Sequence, residues 1–309
     1  QAEERFLTKQ LDDSNWFNLR YHTLKRLAKL AEAKSRGLYG ARVSMIPHQL
    51  YIANEVAQRF APRVLLADEV GLGKTIEAGL IIHHQLQTSR ALRVLVIVPH
   101  SLTFQWFIEL IRRFNLRFTI LDEERCCQIE SDNAAGNELT KEQQGIQITN
   151  PFDAQQSVLC SIDLFLNNDD RLSQVLTTNW DLVVVDEAHH LQWSPKTSSR
   201  EYEVIEKITR ITKGLLLLTA TPEQLGEAGH FARLRLLDPH RFHNYEDFKQ
   251  EQANFQKVAK EAQEMLASGI SLNTADPPNS EDDTNQKKLK ELLDRHGTGR
   301  VLFRNVRSS

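Results

Sequence analysis

Sulfur is scarce in these 309 residues, with three cysteines and two methionines. Cys126, Cys127 and Cys160 have no Cys-x-x-Cys spacing and form no even set, which excludes a disulfide framework and points to a reduced, cytoplasmic compartment. No apolar run approaches the ~18 residues of a membrane-crossing helix, and the opening carries no secretory signal. The chain begins on Gln1 rather than methionine, as expected of a piece of a longer protein. Internal repeats and long low-complexity tracts are absent. So is a strong net charge: the balance of −3 neither favours nor excludes a nucleic-acid partner.

What is present is ample for a core, with 40% apolar and 26% charged residues. The charge is unevenly placed. Between Ser14 and Met45, seven basic residues (Arg20, Lys25, Arg26, Lys29, Lys34, Arg36 and Arg42) stand against one acidic residue, Glu32. That local basic face is either a solvated helix surface or a surface for DNA or a partner. Apolar Phe17, Tyr21, Leu24, Leu27, Ala28 and Ala31 recur at helical spacing within it.

Beyond a second expected helix at 48–60, the pattern alternates strand and helix. Strands are expected at 64–67, 94–98, 118–121, 158–161, 182–185 and 214–218. Helices fall between them at 75–87, 103–114, 164–176 and 201–211. Alternation of this kind implies a parallel sheet covered on both faces, with ligands bound at the carboxyl ends of its strands. The polar stretch 123–150 reads as an exposed loop or hairpin. Helices are expected at 224–237, 247–267 and 287–295, a mobile acidic segment at 273–285, and a short strand at 301–303.

Three strand ends carry chemistry. The first is Asp68-Glu69-Val70-Gly71-Leu72-Gly73-Lys74-Thr75, where a buried strand turns through glycines into a helix. Backbone N–H groups of such a turn, with the positive end of the new helix, cradle a phosphate. Lys74 is placed for the terminal phosphates and Thr75 for Mg²⁺. Asp68 departs from the usual pattern, which has glycine there. The second strand ends in Asp186-Glu187-Ala188-His189. Asp186 suits Mg²⁺, and Glu187 suits a base that orients or deprotonates the attacking water. The third ends in Thr219-Ala220-Thr221, a hydroxyl pair suited to sensing the γ-phosphate. Neither His83-His84 nor His189-His190 has the partner spacing of a zinc site.

These three segments resemble motifs I, II and III of superfamily-2 helicases and translocases, and the Asp68 form of the loop is similar to the Swi/Snf branch. Ile46-Pro47-His48-Gln49 resembles that family's adenine-recognition motif, with Gln49 on the base edge. Val96-Ile97-Val98-Pro99, followed by Ser101-Leu102 and Gln105-Trp106, is similar to motif Ia, and Cys160-Ser161 sits where motif Ib belongs. Longer stretches, including 112–118, 221–237 and 300–307, look like the bacterial RNA polymerase-associated members of the branch.

The resemblance covers nearly all of 42–309. It implies a RecA-like α/β lobe at 45–240, preceded by a basic helical lead-in at 1–44 and followed by a helical extension at 241–309. It also implies ATP and Mg²⁺ as ligands, core RNA polymerase and double-stranded DNA as partners, and translocation on the duplex with polymerase recycling. Phosphate-backbone contacts from Pro99, Ser101, Gln105, Trp106 and Ser161 belong to the same expectation, with Trp106 also suited to core packing. In this family a second lobe supplies arginines to the γ-phosphate, so this chain alone is expected to hydrolyse ATP weakly or not at all. Two other readings stay open: a DEAH-type helicase acting on RNA or DNA, and a polymerase-binding module with nucleotide as a structural ligand.

Overall fold

A computed structural model describes residues 13–32, 40–44, 46–68, 72–139, 150–220, 226–253 and 302–303. In chain order the elements are α1 (Ser14–Glu32), α2 (Pro47–Ala57), β1 (Arg63–Leu66), α3 (Lys74–Gln87), β2 (Val94–Val98), α4 (Thr103–Phe114), β3 (Thr119–Leu121) and α5 (Glu123–Leu139). They continue as β4 (Ser157–Ser161), α6 (Asp163–Asn167), α7 (Asp169–Thr177), β5 (Leu182–Val185), α8 (Arg200–Ile211), β6 (Gly214–Leu218), α9 (Gly226–Leu237) and β7 (Leu302–Phe303).

The strands form one seven-stranded sheet in the order β3-β4-β2-β5-β6-β1-β7, and every pairing is parallel. Alternate residues of each strand enter opposite cores, which is why the strands read as unbroken apolar runs. Leu65, Leu95, Ile97, Val183, Val185, Leu215 and Leu217 face α5–α9. Val64, Leu66, Val94, Val96, Leu182, Val184, Leu216 and Leu218 face α2, α3 and α4. Each buried Val, Leu or Ile contributes about 1.5–3 kcal/mol, so an Asp at Val184 would break both the packing and the strand.

The helices are tied down at their ends by charged side chains. Arg63 on β1 donates from Nε to the Leu237 carbonyl (2.8 Å), from Nη2 to Leu236 (2.7 Å) and from Nη1 to Thr212 (2.8 Å). It thereby caps the last turns of α8 and α9, whose carbonyls have no partner within their own helices. On the same end of the sheet, Asp181 accepts from the backbone N–H groups of Leu92 and Arg93 and from Lys213.

The expected loop at 123–150 is a correction. Residues 123–139 form α5, started by Asp122, whose Oδ1 accepts from the Arg125 N–H at 2.8 Å. Of its described side chains only Cys126 and Ile129 join the core, too few to give a visible apolar stripe. Its other anchor is Arg171 of α7, which pairs with both Glu123 and Glu130. The single helix expected at 164–176 is divided into α6 and α7 at Asn168, whose side chain caps α7. Helix α1 forms as expected, but Trp16, Phe17, Leu19, Tyr21, Leu24 and Leu27 on it stay exposed, Leu24 at 66%.

Residues 245–253 are helical. The rest of the helix expected at 247–267, the one at 287–295 and the acidic segment at 273–285 lie outside the described residues. Among the described residues, no helix is long and apolar enough to cross a membrane.

Candidate nucleotide-binding site

Because β6 lies between β5 and β1, the residues that follow these strands stand side by side on one edge. At the usual strand spacing of about 4.8 Å, Asp68, Thr219 and Asp186 fall within roughly 10 Å of one another. The register fixes the alignment: Leu66 pairs with Leu218, and Val185 with Leu217. The Thr219 N–H donates to the Leu66 carbonyl at 3.0 Å, and the Asp186 N–H to the Ile97 carbonyl at 3.0 Å.

The turn from β1 into α3 passes through Gly73, whose φ of +91° suits glycine. The first helical residue is Lys74, so the free N–H groups of α3 open where an anion would sit. Lys74 donates its ammonium to the Asp68 carbonyl at 2.8 Å. Thr75 follows, half-buried, in the first turn. Gln49 from α2 is 3% exposed and donates to the Leu72 carbonyl at 2.8 Å. It is therefore committed to the loop, and reading a base edge would require exchanging that bond. Ile46 is exposed just ahead of α2. Glu69, Val70, Gly71 and Thr221 lie outside the described residues.

Beneath the loop, His48, Asp68 and Glu77 bring ligand-type atoms within 4.8 Å of one another. Glu77 is buried, and burial first, then the Asp68 carboxylate, push its pKa up to about 9. At neutral pH it is a protonated acid beside Asp68. These three residues come from α2, the end of β1 and α3, and no spacing in the sequence announces their meeting.

Asp186 is held on both carboxylate oxygens. Trp106 Nε1 donates to Oδ2 at 2.7 Å, and the Glu187 N–H donates to Oδ1 at 2.8 Å. Burial raises the Asp186 pKa, while the Trp106 bond, the Glu187 N–H and the charge of Lys74 oppose the rise. Glu187 adopts φ +50°, a left-handed conformation that is strained for a non-glycine residue. This turns its carboxylate toward His189, with Nδ1 to Oε2 at 2.9 Å. Burial and then His190 lower the His189 pKa, so the imidazole is neutral at pH 7. Ala188 is buried in the short turn between them, and Ala220 is half-buried after Thr219.

Residues of the types that hold Mg²⁺ and a triphosphate meet here. The decisive observation is Thr219 Oγ1, which is buried and has no hydrogen-bond partner among the described residues. An orphaned hydroxyl beside Asp186 and a lysine-bearing helix start suits a polar ligand placed between them.

The ends of β2 and β4, paired through Val98 and Ser161, continue the same edge. Ser101 and Gln105 are exposed and Pro99 is half-buried. Ser161 is half-buried and donates to Asp163 Oδ2 at 2.8 Å. Trp106 is a correction as a nucleic-acid contact. It is 1% exposed, packed in the core and bonded to Asp186, so no duplex reaches it. A cleft of about 340 Å³ runs along this edge, lined by Pro99, His100, Asp163, Asp186, Glu187 and His190.

The family model of the SNF2-related domain matches residues 23–308. The chain belongs to the SNF2-related family. Two relatives are RNA polymerase-associated proteins named RapA. The one from Pectobacterium carotovorum is 47% identical over 99% of this chain and 32% of its own length. The one from Vibrio cholerae strain M66-2 is 47% identical over 100% of this chain and 33% of its own length. This SNF2-related chain thus spans about a third of the relatives it matches. A solved structure of the Sulfolobus solfataricus SWI2/SNF2 ATPase core in complex with dsDNA superposes with a TM-score of 0.55 at 18% identity. The match covers 86% of this chain and 45% of that one, and it establishes the likeness of fold.

Proposed function

We propose that this chain is the first nucleotide-binding lobe of a Swi/Snf-type ATPase that translocates on double-stranded DNA. In the whole protein it associates with core RNA polymerase in the bacterial cytoplasm and promotes polymerase recycling in transcription. The observation that carries the ATPase reading is the line of strand ends at Asp68, Thr219 and Asp186 facing the Lys74 helix start. Support for the polymerase part comes from the RapA relatives, which are RNA polymerase-associated, and for the DNA part from the duplex held by the structural neighbour.

In this reading Lys74 leaves the Asp68 carbonyl for the β- and γ-phosphates, and the α3 N–H groups take the remaining phosphate charge. Thr75 and Asp186 would hold Mg²⁺, which when bound neutralises charge on the transferred phosphoryl group. Glu187 accepts the proton of the attacking water, with neutral His189 fixing the carboxylate's orientation. Thr219 gains in the γ-phosphate a partner that its hydroxyl lacks among the described residues. Arginines of a second lobe complete the site, so this chain alone turns over slowly.

The test is ATP hydrolysis by the full-length protein with duplex DNA, single-stranded DNA or RNA added. Duplex DNA should stimulate most, and Lys74→Ala and Glu187→Gln should each lower the rate at least about a hundredfold. Stronger stimulation by RNA would favour the DEAH-type helicase reading. A Glu187→Gln protein that kept full turnover would remove the assigned base. Capture of core RNA polymerase by wild-type and Glu187→Gln protein alike separates docking from catalysis.

A further inference from the structure

Helix α4 begins two residues after Ser101 and Gly79 lies under its far end, so one rigid rod spans from the exposed turn to helix α3. Its buried stripe is Trp106, Leu110 and Phe114, each one helical turn from the next. At the first of these, the indole N–H donates to Asp186 Oδ2 at 2.7 Å. At the last, the Phe114 ring lies so close to α3 that a Cβ on Gly79 would stand 2.3 Å from it. The opposite side of the first turn presents Phe104 and Gln105 to solvent, beside exposed Ser101. The helix therefore touches the Asp186 carboxylate and α3 on its buried face, while its start lies on the open strand edge.

We infer that Trp106 is a positioning residue that couples duplex DNA at the Pro99–Gln105 turn to the orientation of the Asp186 carboxylate. The inference rests on the proposed readings of Asp186 as the Mg²⁺ ligand and of the Pro99–Gln105 turn as a duplex contact. The hydrogen bond takes one of the two Asp186 oxygens, and the Glu187 N–H takes the other. Both oxygens are thus directed by protein donors, and the tryptophan sits on a helix whose first turn is exposed at the open strand edge. A contact that rotates or translates the start of α4 carries the indole with it, because Leu110 and Phe114 are packed in a core that does not deform smoothly. Without the indole donor that oxygen is free to turn, and a carboxylate that has lost its orienting partner holds a cation less well.

Linkage then requires that DNA and Mg²⁺ raise each other's affinity by the same factor. The experiment measures, in full-length protein, the Mg²⁺ concentration giving half-maximal binding of a fluorescent non-hydrolysable ATP analogue with and without saturating duplex DNA. In wild-type protein duplex DNA should lower that concentration by about fivefold or more. Trp106→Phe, which keeps the ring and removes the N–H, should abolish most of this shift and raise the Mg²⁺ requirement in the presence of DNA. Leu110→Val, which thins the same stripe and leaves the hydrogen bond, should retain the shift. The wild-type titration needs no variant to fold, and a Mg²⁺ requirement indifferent to DNA overturns the coupling. So does a Trp106→Phe protein with the wild-type shift. If instead Asp186→Asn protein hydrolyses ATP as well as wild-type, the underlying site assignment has failed rather than the coupling.

Discussion

The side-chain amide of Gln49 sits 2.8 Å from the Leu72 carbonyl, and its nitrogen occupies the space that a Cβ on Gly73 would need, 2.3 Å away. The turn from β1 into α3 is therefore braced from below by α2, and residue 73 is confined both by its neighbour and by its φ of +91°. Gly73→Ala should weaken ATP binding about tenfold, as strain of roughly 1–3 kcal/mol at the turn predicts. Titration with a fluorescent ATP analogue checks this, and unchanged affinity would mean that the turn relaxes freely.

The second glycine prediction concerns stability rather than binding. Gly79→Ala should destabilise the chain by about 1–3 kcal/mol through overpacking against Phe114. Urea unfolding measures the loss, and adding Phe114→Leu should recover part of it. A pair of changes whose effects simply add would show that the two helices do not press on each other.

Arg63 commits its guanidinium to backbone carbonyls at the ends of both α8 and α9. Arg63→Met keeps the aliphatic stem and strands these carbonyls. The expected cost is about 2–4 kcal/mol, given the strength of charge-assisted bonds. The urea midpoint of the variant should fall accordingly, and hydrogen exchange at the ends of α8 and α9 should quicken first.

The α5–α7 junction predicts a pH dependence. Hydrogen bonds from the nearly buried Arg171 hold the Glu123 and Glu130 carboxyls below their ordinary value near 4.5. Carboxylates depressed in the folded state stabilise it above their unfolded pKa. That contribution is lost as pH falls through the lower folded values. Arg171→Met should therefore be less stable than wild-type at pH 7, with the gap narrowing as pH drops from about 4.5 toward 3. Unfolding midpoints at the two pH limits decide it.

These residues also show what was and was not legible in the chain. Asp68, Asp186 and Thr219 were readable because each follows a run of apolar residues buried on both faces, so a polar residue there has to lie at a strand end. That the sheet is parallel followed from the alternation of strand and helix, while the order of its strands did not. Trp106 was readable as core but not as a partner of Asp186, because 80 positions separate the two and only the fold closes the gap. Helix α5 was missed for a related reason. Its anchorage is largely ionic, to Arg171, and charge placed on a helix surface looks the same in sequence whether it is solvated or paired. The His48, Asp68 and Glu77 cluster is assembled from three elements, and no local pattern encodes it.

The last strand has a consequence for synthesis. β7 lies against β1, with Leu302 and Phe303 beside Leu65 and Leu66, and the Ala67 N–H donates to the Phe303 carbonyl at 2.8 Å. Arg59 rests its guanidinium over the Phe303 ring, 5.3 Å from the centroid. The strand leading into the Gly73 turn thus waits for residues made well over two hundred positions later before its outer edge is closed. During translation that edge is an open template for foreign strands, so a nascent chain halted short of Leu302 should be the form most dependent on chaperones.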